Sequence, residues 1–145
     1  MIHWIPRGLV ALAVLLLALA GRAAAQDQNI KKVPIQQTSP GSGAEMYKAY
    51  CAVCHGKDAK GDGPAAAELK VPPPDLTTLA KRHDGKFPDN YVTSVLRNGA
   101  KAPAHGTAEM PVWGPLFESI SGGDQAQVNL RISNLTNYIK SLQAK

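Results

Sequence analysis

The chain reads as an all-α domain, and three observations predict that class. Val128, Ile132, Leu135, Ile139 and Leu142 recur at intervals of four, three, four and three, the stripe of a helix with one buried face. Gly43, Tyr47 and Cys51 stand at i, i+4 and i+8, a second helical face with a glycine in it. No segment of the 145 residues reads as a strand, and no internal repeat is visible. A glycine inside a helix costs propensity, so its presence predicts that another helix comes close there. The long last helix is the natural partner.

Residues 1–25 stand outside that domain. His3 and Arg7 form a weakly basic start, Leu9 to Ala20 is a twelve-residue apolar run, and Ala23-Ala24-Ala25 offers a small-residue cleavage site. That pattern predicts a secretory signal peptide. The run is shorter than the roughly 20 residues that span a bilayer, which makes a retained anchor the weaker reading. Ala18-Leu19-Ala20 is a second possible cut, and no cysteine near either site invites a lipid. Cleavage after Ala25 leaves 120 of the 145 residues, enough for one domain. It removes Arg7 and Arg22 and no acids, so the formal charge falls from +5 to +3. A polybasic surface for nucleic acid or membrane is thereby a poor hypothesis.

Residues 26–42, rich in Gln, Pro, Gly, Ser and Thr, read as a flexible tether or as an extended arm lying on the domain. The domain itself is expected over residues 43–145. Its first helix runs over residues 43–54, with Met46 assigned to packing. Residues 56–66 form a loop in which Gly56, Gly61 and Gly63 permit tight turns, and a short helical turn is expected over residues 65–69. Val71-Pro72-Pro73-Pro74-Asp75 must be extended, because proline fixes φ and restricts its predecessor. A helix follows over residues 89–96, with Asp89 as N-cap, an apolar face of Tyr91, Val92, Val95 and Leu96, and Asn98-Gly99 as its stop. Residues 101–110 read as a loop. Pro115 suits the first position of a short helix ended by Gly122-Gly123. Asp124 caps the last helix, with Gln127 in capping-box position.

The chemistry is concentrated in Cys51-Ala52-Val53-Cys54-His55, which holds the only two cysteines of the chain. Cys-x-x-Cys-His is an attachment pattern for c-type haem. Thiols three residues apart on one helical turn can add to the two vinyl groups of a porphyrin, and the adjoining histidine then presents its imidazole as the proximal iron ligand. Three rivals are weaker. A redox disulfide of thioredoxin type wants a βαβ context. A structural zinc site needs four ligands, which would have to include His83 and His105. Two small buried hydrophobes are the bland alternative. Export agrees with haem attachment outside the cytoplasm and points to a periplasm.

One axial position of the iron remains. Met110, His105 and His83 are the candidates once the signal is gone. Met110 is preferred, because Pro111 directly after it restricts the loop and lowers the entropy lost in holding the sulfur. His105, in the same loop, is its rival; His83, beside Asp84-Gly85, has the setting of a surface turn. Methionine would raise the reduction potential and a second histidine would lower it. An open sixth site would mean ligand binding or peroxidase chemistry. The carbonyls of residues 71–74, or that of Pro64, could hold the His55 Nδ1–H. Tyr50 and Trp113 are read as pocket wall and core, and Arg97 as a solvated helix-end cation before a propionate partner.

Over residues 43–142 these features resemble the class I cytochromes c. Gly43 and Tyr47 match the first-helix glycine and aromatic, Cys51, Cys54 and His55 the attachment motif, Met110 the distal methionine, and Leu135 and Tyr138 the last-helix contacts with the first helix. The resemblance implies four to five helices around one covalent haem c with an exposed edge, and transport of one electron at a time. It suggests a small periplasmic bacterial carrier working with a respiratory oxidase or reductase. Unlike the most basic members, this chain has no lysine-rich docking face. No catalytic acid–base pair or nucleophile triad is visible, so an enzyme is not expected. A haem enzyme or gas sensor, and a fixed cytochrome subunit of a respiratory complex, are the alternative readings.

Overall fold

Ser42 starts the first helix by accepting a hydrogen bond from the Glu45 N–H at 3.2 Å, in a computed structural model that describes residues 35–99 and 110–144. The expected signal peptide, the beginning of the arm and His105 lie outside the described residues. Helix α1 (Gly43–Met46) passes into a π-helical turn (Tyr47–Cys51) and then α2 (Ala52–His55). Three short 3-10 turns follow, at Ala66–Glu68, Leu76–Thr78 and Lys81–His83. Helices α3 (Asp89–Asn98), α4 (Trp113–Ile120) and α5 (Gln125–Ser141) complete the fold, and no strand occurs among the described residues.

The first helix crosses the last one where the glycine predicted it. A Cβ on Gly43 would run into the Asn134 carbonyl oxygen and lie 2.7 Å from the Tyr138 Cβ. One turn on, the Tyr47 ring packs against Tyr138 with centroids 5.4 Å apart. The sequence pattern predicts one regular helix here, and the π turn is the departure. The Ala52 N–H reaches back five residues to the Tyr47 carbonyl. A turn widened in this way shifts the phase of the side chains. Gly43 and Tyr47 meet α5, whereas Tyr50 and Cys51 turn to a cavity on the other side.

Helix α2 ends at Gly56, whose φ of +79° disfavours any side chain. The loop beyond folds back to satisfy the carbonyls that a helix end leaves open. The N–H groups of Ala65, Gly63 and Gly61 bond to the Val53, Cys54 and His55 carbonyls at 2.9, 3.1 and 2.8 Å. Ala59, fully buried, is held at φ +60° while its carbonyl takes the Leu76 N–H at 2.8 Å. That conformation costs an alanine about 1 kcal/mol, and the Leu76 bond helps to fix it.

Two helix starts differ from expectation. Pro88, not Asp89, occupies the N-cap of α3; Asp89 is the first helical residue, and its carboxylate pairs with Lys140 Nζ of α5 at 2.9 Å. A proline already set at helix-compatible φ frees the aspartate for a cross-helix ion pair at the positive end of the helix dipole. In α4, Trp113 leads and Pro115 stands third, still within the first turn where no N–H needs a partner. Asp124 caps α5 as expected by accepting from the Ala126 and Gln127 N–H groups. The Gln127 side chain completes the cap by donating to the same carboxylate at 3.1 Å.

Phe117 and Leu135 reach zero exposure between the helices, as does Met46. Residues 35–42, the described part of the arm, lie on the domain: the Asn134 amide donates to the Pro40 carbonyl at 3.0 Å, and Thr38 is buried. Gln143 ties the chain end to the middle, donating to the Leu76 carbonyl and accepting the Ala80 N–H, both at 2.8 Å. The helix crossing yields a direct test. Gly43→Ala gains helix propensity of up to about 1 kcal/mol yet forces the helices apart, so a net loss of about 1–3 kcal/mol in denaturant unfolding is expected. A stabilised variant would show that the crossing does not depend on the glycine.

Candidate functional site

The π turn and α2 turn Tyr50, Cys51, Cys54 and His55 toward a cavity of about 330 Å³. Pro72, Pro73 and Pro74 with Val71 form a second wall, stiff and poor in N–H donors. Leu76 and Leu79 continue it, Val92, Val95 and Leu96 of α3 face it, and Ile139 of α5 reaches its lining. Met110, Pro111 and Trp113 close the remaining side. The four residues singled out by the sequence, Cys51, Cys54, His55 and Met110, therefore line one space that is largely apolar.

Burial tunes the polar groups in it. Cys51 is 7% exposed, and burial, aided by the neighbouring Cys54 thiol, pushes its pKa up to about 12. No disulfide joins the two cysteines. His55 is 8% exposed, and burial lowers its pKa, which holds the imidazole in the neutral form that binds metal. The Pro74 carbonyl opposes this by favouring the protonated ring. It stands close to the ring without completing hydrogen-bond geometry, for His55 Nδ1 is buried and has no partner. Of the carbonyls considered, Pro74 is thus the one that acts on His55. Beside these residues, the Tyr47 hydroxyl donates to the Gly56 carbonyl at 2.8 Å, and burial raises its pKa first, Cys51 second.

The other candidates separate clearly. His105 lies outside the described residues. His83 ends an exposed 3-10 turn, as a surface residue should, but it also stands on the cavity lining with its ring 6.0 Å from that of Tyr91. Arg97 is away from the cavity, its guanidinium donating to Asn129 Oδ1 at 2.9 Å. Among the described residues no three His, Cys, Asp or Glu side chains gather as a metal cluster would require, and His83 alone brings no zinc set to the two thiols. Tyr50 and Trp113 are wall and core as expected, stacked at 5.2 Å. Sequence reasoning missed Arg82, the arginine on the lining, whose Nη2 donates to the Asp75 carbonyl at 2.7 Å. It sits in an irregular stretch with no period to mark its direction.

The site fits a haem on its own chemistry. It offers an apolar slot, two thiols one turn apart and a neutral buried imidazole with an orphaned Nδ1 beside a carbonyl. The family model for cytochrome c matches residues 41–143. The chain belongs to the cytochrome c family. No curated protein and no solved structure matches it. As a cytochrome c it takes covalent haem c, its Cys51 and Cys54 fit the attachment motif, and its role is haem-based electron transfer with redox partner proteins. The all-α architecture, with the first and last helices packed together, is that of the family.

Asp75 connects the proline wall of this cytochrome to its acid stability. Its carboxylate accepts from the Thr77 hydroxyl and N–H, at 2.6 and 2.8 Å, and these bonds hold its pKa below the usual value. A depressed carboxylate stabilises the fold above its unfolded pKa, near 3.9, and that contribution disappears as pH falls through the lower folded value. Asp75→Asn is expected to be less stable than wild type at neutral pH, with the gap closing below about pH 4. Urea unfolding across pH checks this; a gap independent of pH would assign the difference to packing.

Proposed function

We propose that the protein is a mono-haem c-type cytochrome that carries one electron at a time between exported or membrane-bound redox enzymes. The observation that carries the reading is the convergence of Cys51, Cys54, His55 and Met110 on one apolar cavity. Cys51 and Cys54 hold the haem through thioethers, His55 is the proximal iron ligand, and Met110 is the distal one. Bound haem supplies the ferrous–ferric couple; the chain sets its ligation, dielectric and access.

Each residue has a definable task. The capped end of α2 holds His55 against rotation, since the three carbonyls at 53–55 are all satisfied by the loop that follows. The Pro74 carbonyl, close to the ring, would accept the Nδ1–H of a ligating imidazole and orient it. Pro111 restricts the chain beside the Met110 sulfur. The apolar walls exclude water and so limit the rearrangement that accompanies a change in iron charge. Arg82, exposed and on the cavity lining, is a cation available to the haem carboxylates. Exposed Val71 and Tyr91, 45% and 39% accessible beside the same cavity, offer an apolar approach for a redox partner.

The protein is further proposed to be periplasmic, exported by residues 1–25 and released at Gln26. The charge pattern and apolar run of that segment support this reading. Mass spectrometry of the mature protein tests haem and processing together: one covalent haem and an N-terminus at Gln26 are expected, and a colourless full-length polypeptide would end both proposals. Met110→Ala is expected to remove the weak far-red band of sulfur-bound ferric haem and to lower the reduction potential. An unchanged spectrum and potential would leave another residue as the sixth ligand.

A further inference from the structure

Arg131 stands on the buried face of α5 and is 2% exposed. Among the described residues none of its hydrogen-bond partners is a carboxylate. Its Nε donates to Ser121 Oγ at 3.2 Å, and its Nη1 to Thr38 Oγ1 at 3.0 Å and Met46 Sδ at 3.9 Å. The ion pair found among the described residues is Lys140 with Asp89, on another part of α5. A guanidinium cannot shed its proton to relieve burial, so the interior carries a fixed positive charge whose acceptors among the described residues are all neutral.

The bonds beyond it run in one direction. The Tyr50 hydroxyl donates to the Gln36 carbonyl at 2.5 Å. Its proton is thereby committed, so at the 2.8 Å contact with Thr38 Oγ1 it must accept. The Thr38 hydroxyl therefore donates to Tyr50 while accepting from Arg131. The Gln36 carbonyl, which can only accept, and the arginine, which can only donate, set the two ends of the chain and so its sense: Arg131 to Thr38 to Tyr50 to Gln36. The last side chain in that series lies on the cavity wall, next to Cys51 and stacked on Trp113.

We propose that Arg131 is a positioning residue of the redox centre, orienting Tyr50 through Thr38 and biasing the iron toward the ferrous state by its buried charge. This rests on the haem reading of the cavity. A cation in a low-dielectric interior is poorly screened, and it disfavours the oxidised state, which carries one more positive charge. Because arginine does not titrate, the bias is constant with pH across the neutral range.

Potentiometric titration and near-ultraviolet circular dichroism of haem-loaded variants test the proposal. Arg131→Met is expected to lower the reduction potential by the same amount from pH 6 to 8, and Arg131→Lys, which keeps the charge, to recover most of that loss. Thr38→Val keeps the charge but cuts the chain, so it should weaken the aromatic circular dichroism of Tyr50 and Trp113 and shift the potential less than Arg131→Met. A wild-type potential in Arg131→Met, or a wild-type aromatic spectrum in Thr38→Val, would overturn the proposal. Should Arg131→Met fail to yield holoprotein, Thr38→Val still decides it by that spectrum. Absence of covalent haem from the wild-type protein would sink the haem reading instead, and absorbance and mass report that separately.

Discussion

The crossing of the first and last helices is the contact on which the rest depends. Backbone meets backbone at Gly43 and Asn134, and the ring of Tyr47 then seats against Tyr138. This fixes the first helix along α5, but the same short helix must also deliver two thiols and an imidazole to a cavity elsewhere. A regular helix repeats every 3.6 residues and would keep Gly43, Tyr47 and Cys51 nearly in line. The π turn resolves the conflict by widening the spiral between the residues that pack and those that bind. The irregularity stands at the boundary between the two duties, where such turns are commonly found in helices that carry a site.

What was legible in the sequence follows from how local its cause is. The stripe of α5 could be read because five apolar positions on one face record one buried surface. The attachment motif could be read because its chemistry needs five consecutive residues. Gly43 announced a helix contact because its cost demanded a reason. The π turn left no mark, since it answers to two partners distant in sequence. Arg131 was hidden for the opposite reason: it stands three residues after Val128 on the apolar face, where a charge contradicts the pattern that defines the helix. Arg82 and His83 come from a stretch of 3-10 turns and extended backbone, where nothing periodic tells which way a side chain points. The cap at Pro88 and the helix start at Trp113 were misplaced by one and two residues because cap rules rank single residues, and ion pairing by Lys140 changed the use of Asp89.

Burial of Arg131 also explains why the arm is part of the domain and not a tether over residues 35–42. A buried guanidinium left with no acceptor costs several kcal/mol, and Thr38 supplies the acceptor nearest to it. The hydroxyl of Tyr50 then needs an acceptor of its own, which the Gln36 carbonyl provides. Removing the arm would take Thr38 from the buried charge and the Gln36 carbonyl from the phenol together. A composition rich in Gln, Pro, Gly, Ser and Thr reads as loose chain, yet here its polar groups answer needs created by the core.

Against this background of satisfied groups, one buried side-chain atom among the described residues has no partner: His55 Nδ1. Leaving such an atom unpaired costs about 1–3 kcal/mol, in a structure that caps Val53, Cys54 and His55 carbonyls and finds acceptors for an arginine and for both hydroxyls beyond it. The misfit falls on the residue that the sequence marks as an iron ligand, with the Pro74 carbonyl close by but short of bonding geometry. A ring gripped at one nitrogen has little freedom at the other, so ligation of His55 would favour completion of the Pro74 hydrogen bond, and that bond would favour ligation. The unmet need of the polypeptide and the requirement of its cofactor therefore coincide in one imidazole. That coincidence is what a site built for haem, and not merely compatible with it, should display.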